Sequence, residues 1–218
     1  MISVADLLTN DRLPSNYFAN DVYVRGTLEL GLLENRRGDR LLALPSVFIK
    51  AIYQGLDKET GQATQLVLRN CGLWWGKNFY ARFCEELSDY YKKPIADFPM
   101  AEFLQALQEC WRTHGWGAIQ LDTDYHQQGF LVVTVQNSPF IAEVEASTRP
   151  VGALEAGILQ AFFSQLTGRD LTCLQTECES LGADRNRFVL GLENRLKDAT
   201  ALVEEGQPHD AIMQMLTR

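Results

Sequence analysis

The segment 62-QATQLVLRNCGLWWGKNFYARFCEELSDYY-91 constrains this chain most. It holds no proline and reads as one long aromatic helix, with Leu66, Trp74, Trp75, Phe79, Tyr80, Phe83, Leu87, Tyr90 and Tyr91 along it. Gly61 precedes it and Lys92-Lys93-Pro94 ends it. Gly72 and Gly76 lie four residues apart on one face, each costing roughly 1 kcal/mol relative to alanine. Something must approach that face closely: a neighbouring helix, or a flat ligand over the gap.

Other elements are placed around this helix by pattern and punctuation. Ser3, with Asp6 three residues on, caps a short helix over 3–9. VYVRGTLELGLLE and DRLLAL flank the turn-forming Asn35-Arg36-Arg37-Gly38 and predict a hairpin. Pro45 opens a helix to about Lys58, and Pro99 opens another with Phe103, Leu104, Leu107, Cys110 and Trp111 at helical spacing. From Gly115 the period changes. GWGAIQLDTD and GFLVVTVQ form a second hairpin joined around His126-Gln127-Gln128, residues 150 to 168 form a buried helix stopped by Gly168, and DLTCLQTEC pairs with RFVLGL. Two short helices around Gly206 and Pro208 follow, with Leu196, Ala199, Leu202, Ile212, Met213 and Leu216 as their apolar stripes. The order predicts an α+β fold, an antiparallel sheet with helices packed on one face. The expected organisation is an N-terminal helical segment over 1–20, a domain over 21–205 and a helical tail over 206–218.

Composition excludes several roles. The 218 residues are 46% hydrophobic, sufficient for a packed core. Twenty basic against 28 acidic side chains give a net charge of −8, so no nucleic acid is expected as a partner. The opening MISVADLLTNDRLPSN lacks the basic-then-apolar order of a signal peptide, and no apolar run approaches the ~18 residues of a membrane span. A cytoplasmic protein without direct membrane insertion is expected. Cys71, Cys84, Cys110, Cys173 and Cys178 are an odd set without a CxxC pair, as for reduced thiols.

Three pieces occur in a telling order: the long helix with Gly72 and Gly76, Gly115-Trp116-Gly117 starting a hairpin, and Gly152 to Gly168 leading into Cys178-Glu-Ser-Leu-Gly182 and Phe188. This resembles the 4-vinyl reductase domain family, whose C-terminal pattern is a helix with small residues, a Thr-Gly-Arg-like turn, then Glu-x-x-Cys-x-x-x-Gly-x-x-x-Cys-x-Phe. The likeness runs from about residue 20 to 205. It implies a fold similar to the small subunits of the TRAPP vesicle-tethering complex, commonly a homodimer, with a hydrophobic pocket between helices and sheet. Members of the family fall into two groups: sensory domains of bacterial regulators that respond to aromatic effectors, and accessory proteins of chlorophyll formation and photosystem assembly.

The resemblance also implies a structural zinc site in the sensory members. Its four positions fall here near Val151 or Gly152, at Gln175, at Cys178 and at Asn186. One thiolate candidate remains, and neutral amides are poor zinc donors. Residues 173 and 178 on one strand differ by an odd number and are expected on opposite faces, so Cys173 does not complete the set. No metal is expected, and Cys178 reads as a small buried hydrophobe.

Catalytic signatures are missing. There is no GxSxG, no cysteine with an evident histidine partner and no GxGxxG after a strand, and Gly26-x-x-x-x-Gly31 is no substitute. His126 and His209 read as solvated. His114, before Gly115 at a helix C-terminus, either meets the last carbonyls or serves a pocket as a ligand, including a magnesium ligand of a pigment.

No enzyme is therefore expected. The residues proposed to line a ligand are Trp74, Trp75, Tyr80, Phe83, His114, Trp116, Phe130 and Phe162, with Gly72 and Gly76 for helix or dimer packing. The leading expectation is a non-catalytic domain that binds a planar hydrophobic molecule such as a tetrapyrrole of the chlorophyll or bilin type, or assists assembly of a photosynthetic pigment complex, peripheral to its membrane. The alternatives are a ligand-free interaction subunit, pairing with itself or a paralogous chain, and a stand-alone sensor of small aromatics.

Overall fold

The computed structural model describes residues 16–141 and 149–218; the helix expected over 3–9 lies outside the described residues. In chain order the elements are α1 (Asn20–Tyr23), β1 (Arg25–Thr27), β2 (Leu32–Glu34), α2 (Ser46–Thr60), α3 (Thr64–Tyr91), α4 (Met100–Thr113), β3 (Ala118–Asp122), β4 (Leu131–Gln136), α5 (Ala153–Thr167), β5 (Leu171–Glu177), β6 (Asn186–Leu192), α6 (Glu193–Glu204) and α7 (His209–Leu216). They divide into two compact units, residues 1–45 with 84–116 and residues 46–83 with 117–218. These units do not follow the boundaries expected at 20 and 205. The tail is part of the second, because Ile212, Met213 and Leu216 join Phe130, Val132 and Val189 in one core.

In the first unit β1 pairs with β2 antiparallel, from Arg25 opposite Glu34 to Thr27 opposite Leu32. The reversal is a 3-10 turn at Leu28–Leu30 with Gly31 after it. This corrects the expected hairpin. The Asn35–Gly38 turn does form, with Asn35 Oδ1 accepting the N–H groups of Arg37 and Asp39 at 2.9 Å each, but it closes only a single bridge between Glu34 and Arg40. Helix α4 buries Phe103, Leu104, Leu107, Cys110 and Trp111, as its spacing predicts.

The second unit holds a four-stranded antiparallel sheet in the order β3-β4-β6-β5. Strand alternation puts Val133, Phe188, Leu190 and Cys173 on one face, and α5 packs along β5. The other face carries Phe130, Val132 and Val189 beneath Leu196 and Ala199 of α6 and the α7 stripe. The antiparallel α+β fold thus stands, with helices on both faces where packing on one was expected; the apolar stripes of the last two helices need a face to bury.

The element that approaches Gly72 and Gly76 is α5. A Cβ on Gly157 would lie 3.0 Å from Gly72 Cα and 2.9 Å from the Leu73 nitrogen, and one on Gly76 would lie 2.8 Å from Ile158 Cα. The two helices meet backbone to backbone, which is why three positions in the contact have no side chain.

Candidate functional site

The turn between β5 and β6 is tied to the start of α5 by two buried amides. Gln175 Oε1 accepts the Gly152 N–H at 2.8 Å, and Gln175 Nε2 donates to Asn186 Oδ1 at 3.3 Å and to the Glu177 carbonyl at 3.1 Å. Asn186, fully buried, also takes the Glu179 N–H on Oδ1 at 2.9 Å and donates from Nδ2 to the Val135 carbonyl at 3.5 Å. Gly182, at φ 92°, makes the reversal that only glycine adopts freely. Cys178 is buried with its sulfur 3.1 Å from Ser180 Oγ.

These are the positions that the family resemblance assigns to zinc donors, and they do not fit the ion. Both amide oxygens already accept backbone N–H groups, that of Gly152 on Gln175 and that of Glu179 on Asn186, and neutral amides lack the charge of thiolate or carboxylate. Among the described residues no group of three His, Cys, Asp or Glu side chains is placed to hold a metal. One step of the expectation needs correcting. The register of β5 on β6 shifts between Gln175 and Glu177, so strand alternation does not run unbroken from Cys173 to Cys178, and both thiols are buried.

The first turn of α5 carries a second polar feature. Glu155 is fully buried, and its Oε2 accepts the Ser138 hydroxyl at 3.0 Å. Burial pushes its carboxyl from the ordinary 4.5 up to about 8; the Ser138 bond opposes this and the Glu179 charge adds to it. Tyr53 of α2 is buried, and its phenol is raised by burial and then by the Glu155 charge. Burial likewise pushes the Cys173 thiol up to about 12. After Ser138 the loop buries Phe140 and Ile141, and Phe140 meets Trp75 edge-on at 5.7 Å. A cavity of about 200 Å³ opens on the flank of this turn, lined by Arg69, Arg149, Gly152, Ala156, Cys173 and Gln175 among others. Arg69 is held there by Gln160 and by the Cys173 carbonyl at 2.9 Å.

The run Gln175-x-x-Cys178-x-x-x-Gly182-x-x-x-Asn186-x-Phe188 therefore keeps the family's spacing and shape with amides in place of donors. Residues 131–192 match the V4R domain family. The V4R match covers less than a third of the chain, and no curated protein sequence matches it. Among solved structures, the phenol-responsive sensory domain of the transcription activator PoxR, determined with phenol, is 14% identical, covers 85% of this chain and 92% of its own, and superposes with a TM-score of 0.60. A trafficking protein particle complex subunit 3 from Naegleria fowleri, covalently bound to palmitic acid, is 11% identical, with 67% and 92% covered and a TM-score of 0.53. A vinyl-4-reductase family protein from Methanocaldococcus jannaschii is 18% identical, with 69% and 82% covered and a TM-score of 0.43. The first two show the fold: a TRAPP-subunit-like α+β domain.

Six of the eight sequence-selected residues lie in the V4R-bearing unit and two in the other. Four lie in the V4R-bearing unit between α3 and α5. Phe162 meets Tyr80 at 5.2 Å and Phe83 at 5.7 Å, joined by Phe79 and Phe163, and Trp75 lies on Phe140. Trp74 points outward, 74% exposed, because it follows Leu73 around the helix away from the glycine face. Phe130 is in the core beneath α6 and α7, with the Arg195 guanidinium 4.5 Å above its ring.

His114 and Trp116 belong to the other unit. Nδ1–H of His114 donates to the Cys110 carbonyl at 2.8 Å, the ring stacks on Trp116 at 4.5 Å, and burial lowers its pKa. This is the helix-end arrangement, with the imidazole on the last carbonyls.

Sequence reasoning missed Glu155, Tyr53 and the cavity. A signal for the first existed: Glu155 is the one charged residue between Arg149 and Arg169. None of the described helices is long and apolar enough to cross a membrane.

Proposed function

We propose that this chain is a non-catalytic domain that binds a compact, largely apolar molecule, of single-ring size, in the unit that carries the V4R match. The observation that carries the reading is the cavity of about 200 Å³ at the first turn of α5, walled by V4R residues on two sides. That volume lies below the roughly 300–1,000 Å³ of sites for drug-sized ligands and suits one ring better than a tetrapyrrole. Of the rings chosen as a wall for a flat pigment, Phe162 packs on Tyr80 and Phe83 at 5.2 and 5.7 Å. The fold likeness to a phenol-responsive sensory domain supports the same class of ligand.

Thermal unfolding with a panel of single-ring aromatics tests this. A binder at a hundred times its dissociation constant stabilises by about 2.7 kcal/mol, and Ala156→Leu, which fills the cavity, should remove that gain if the ligand sits there. A flat response across the panel, with a saturable shifted absorbance band for a chlorophyll precursor or bilin, would restore the pigment reading and with it a role in a photosynthetic complex.

A second reading, self-pairing or pairing with a paralogous chain, is favoured by α2 and not by the glycine face, which α5 covers. Val47, Phe48 and Ile52 of α2 are exposed at 58%, 46% and 41%. Phe48→Glu should convert a dimer to a monomer by size-exclusion mass, and an unchanged mass removes α2 from any interface.

A further inference from the structure

The cavity of about 200 Å³ beside the first turn of α5 has a cation built into its wall. Arg69, partly buried on α3, is fixed there through one nitrogen: Nη2 donates to the Gln160 side chain and to the Cys173 carbonyl at 2.9 Å. Those two bonds use both hydrogens of Nη2. Among the described residues the three N–H groups on Nη1 and Nε make no hydrogen bond, and no carboxylate pairs with the guanidinium. A charge drawn away from water is ordinarily paired or neutralised, and arginine does not give up its proton. The side chain is also held in place already, so a ligand need not immobilise it.

The rest of the wall agrees in sign. Arg149 lines the same cavity, and Glu204 is the one acidic residue among its lining residues, so two guanidiniums stand against one carboxylate. Gly152, Ala153 and Ala156 present the first turn of α5, a 15-residue helix whose glycine N-cap has no side chain to cap it, and the positive end of its dipole adds to the field. Pro150, Leu174 and Val203 make the remainder apolar. The overall charge of −8 does not cancel this, because exposed charges are screened beyond about 8 Å at physiological salt. An ammonium is repelled here, and a neutral hydroxyl leaves the guanidinium without a counter-ion. Inorganic phosphate answers the charge and leaves the apolar side unfilled.

We infer that this cavity binds a small organic carboxylate, with Arg69 holding the carboxylate group, Arg149 supplying a second positive charge, and the apolar body resting against Pro150, Leu174 and Val203. This rests on the reading of the chain as a small-molecule binder and deepens it by making the ligand an anion. A charge-assisted hydrogen bond from a fixed guanidinium is roughly twice as strong as a neutral one, so the carboxylate is the group that sets affinity.

Calorimetric titration of the full chain with acid and amide pairs tests the site: benzoate against benzamide and cyclohexanecarboxylate against cyclohexanecarboxamide, with phenol, acetate and inorganic phosphate alongside. In the unmodified protein each carboxylate should bind about tenfold tighter than its amide. Arg69→Gln should bring that ratio near one and leave the affinity for the amide unchanged, a split that loss of a merely structural arginine does not produce. Arg149→Gln, on an exposed residue, should lower the ratio about twofold with no change in melting temperature, and Glu204→Gln should raise it about twofold. Ala156→Leu should weaken acid and amide alike. Equal binding of acid and amide, a ratio that survives both arginine substitutions, or phenol binding tighter than benzoate overturns the carboxylate site while leaving a small-molecule binder. Acetate or phosphate binding as tightly as benzoate also overturns it, since the apolar body then contributes nothing. Failure of every probe to bind overturns both readings.

Discussion

Among the described residues each compact unit buries one glutamate, and the two are treated differently. Glu86, 3% exposed, accepts from Asn35 Nδ2 on Oε1 at 3.2 Å and lies 3.4 Å from the Tyr23 hydroxyl on Oε2. Asn35 in turn organises the turn after β2, so the carboxylate ties the last turns of α3 to that turn. Glu155 has Ser138 on one oxygen and, among the described residues, no hydrogen-bond partner on the other. A buried carboxylate bonded on both oxygens is part of how a unit holds together, whereas one bonded on a single oxygen makes half that tie.

Substitutions can break that contrast. The largest effect is expected at Glu86→Ala, which takes one buried partner from each of Asn35 and Tyr23 and should cost about 3 kcal/mol in denaturant unfolding; a loss as large at Glu155→Gln would erase the distinction. Asn186→Ala should come next, at about 2 kcal/mol, because it frees the Glu179 N–H and takes one of the Gln175 amide's partners. That would locate the stability of the α5 end in its amides and not in the nearby carboxyl.

The third test is pH. Glu155 binds its proton up to about 8 when folded and near 4.5 when unfolded, so its contribution is full below about 4.5 and is lost as pH rises through about 8. The slope for one such group is at most about 1.4 kcal/mol per pH unit. Glu155→Gln should flatten the stability profile across that window, and an unchanged profile would mean that the carboxyl is not held neutral. The smallest effect sharpens the comparison directly: Tyr23→Phe should cost about 1 kcal/mol, and Tyr53→Phe nothing.

Much of the architecture was legible because punctuation and period agree. Pro99 precedes α4, Gly168 follows α5, and the Gln62 start differs from the observed Thr64 by two residues. The first hairpin was misplaced for a physical reason. Its true reversal uses Leu28 and Leu30, 93% and 69% exposed, where apolar residues argue for strand, while the well-formed Asn35 turn attracted the assignment. The amides at Gln175 and Asn186 could be placed from motif spacing alone. The dispersal of the aromatic set could not, since spacing along a helix says which rings share a face and nothing about which helix or sheet receives them.

The glycine contact between α3 and α5 has a mechanical consequence. Gly157 is flanked by Ala156 and Ile158, so slipping α5 along α3 by one residue would drive a methyl or a branched chain into backbone. Shear between packed helices, a common route for transmitting ligand occupancy, is thereby closed to this pair. Rotation is open instead to α2, which buries a single side chain.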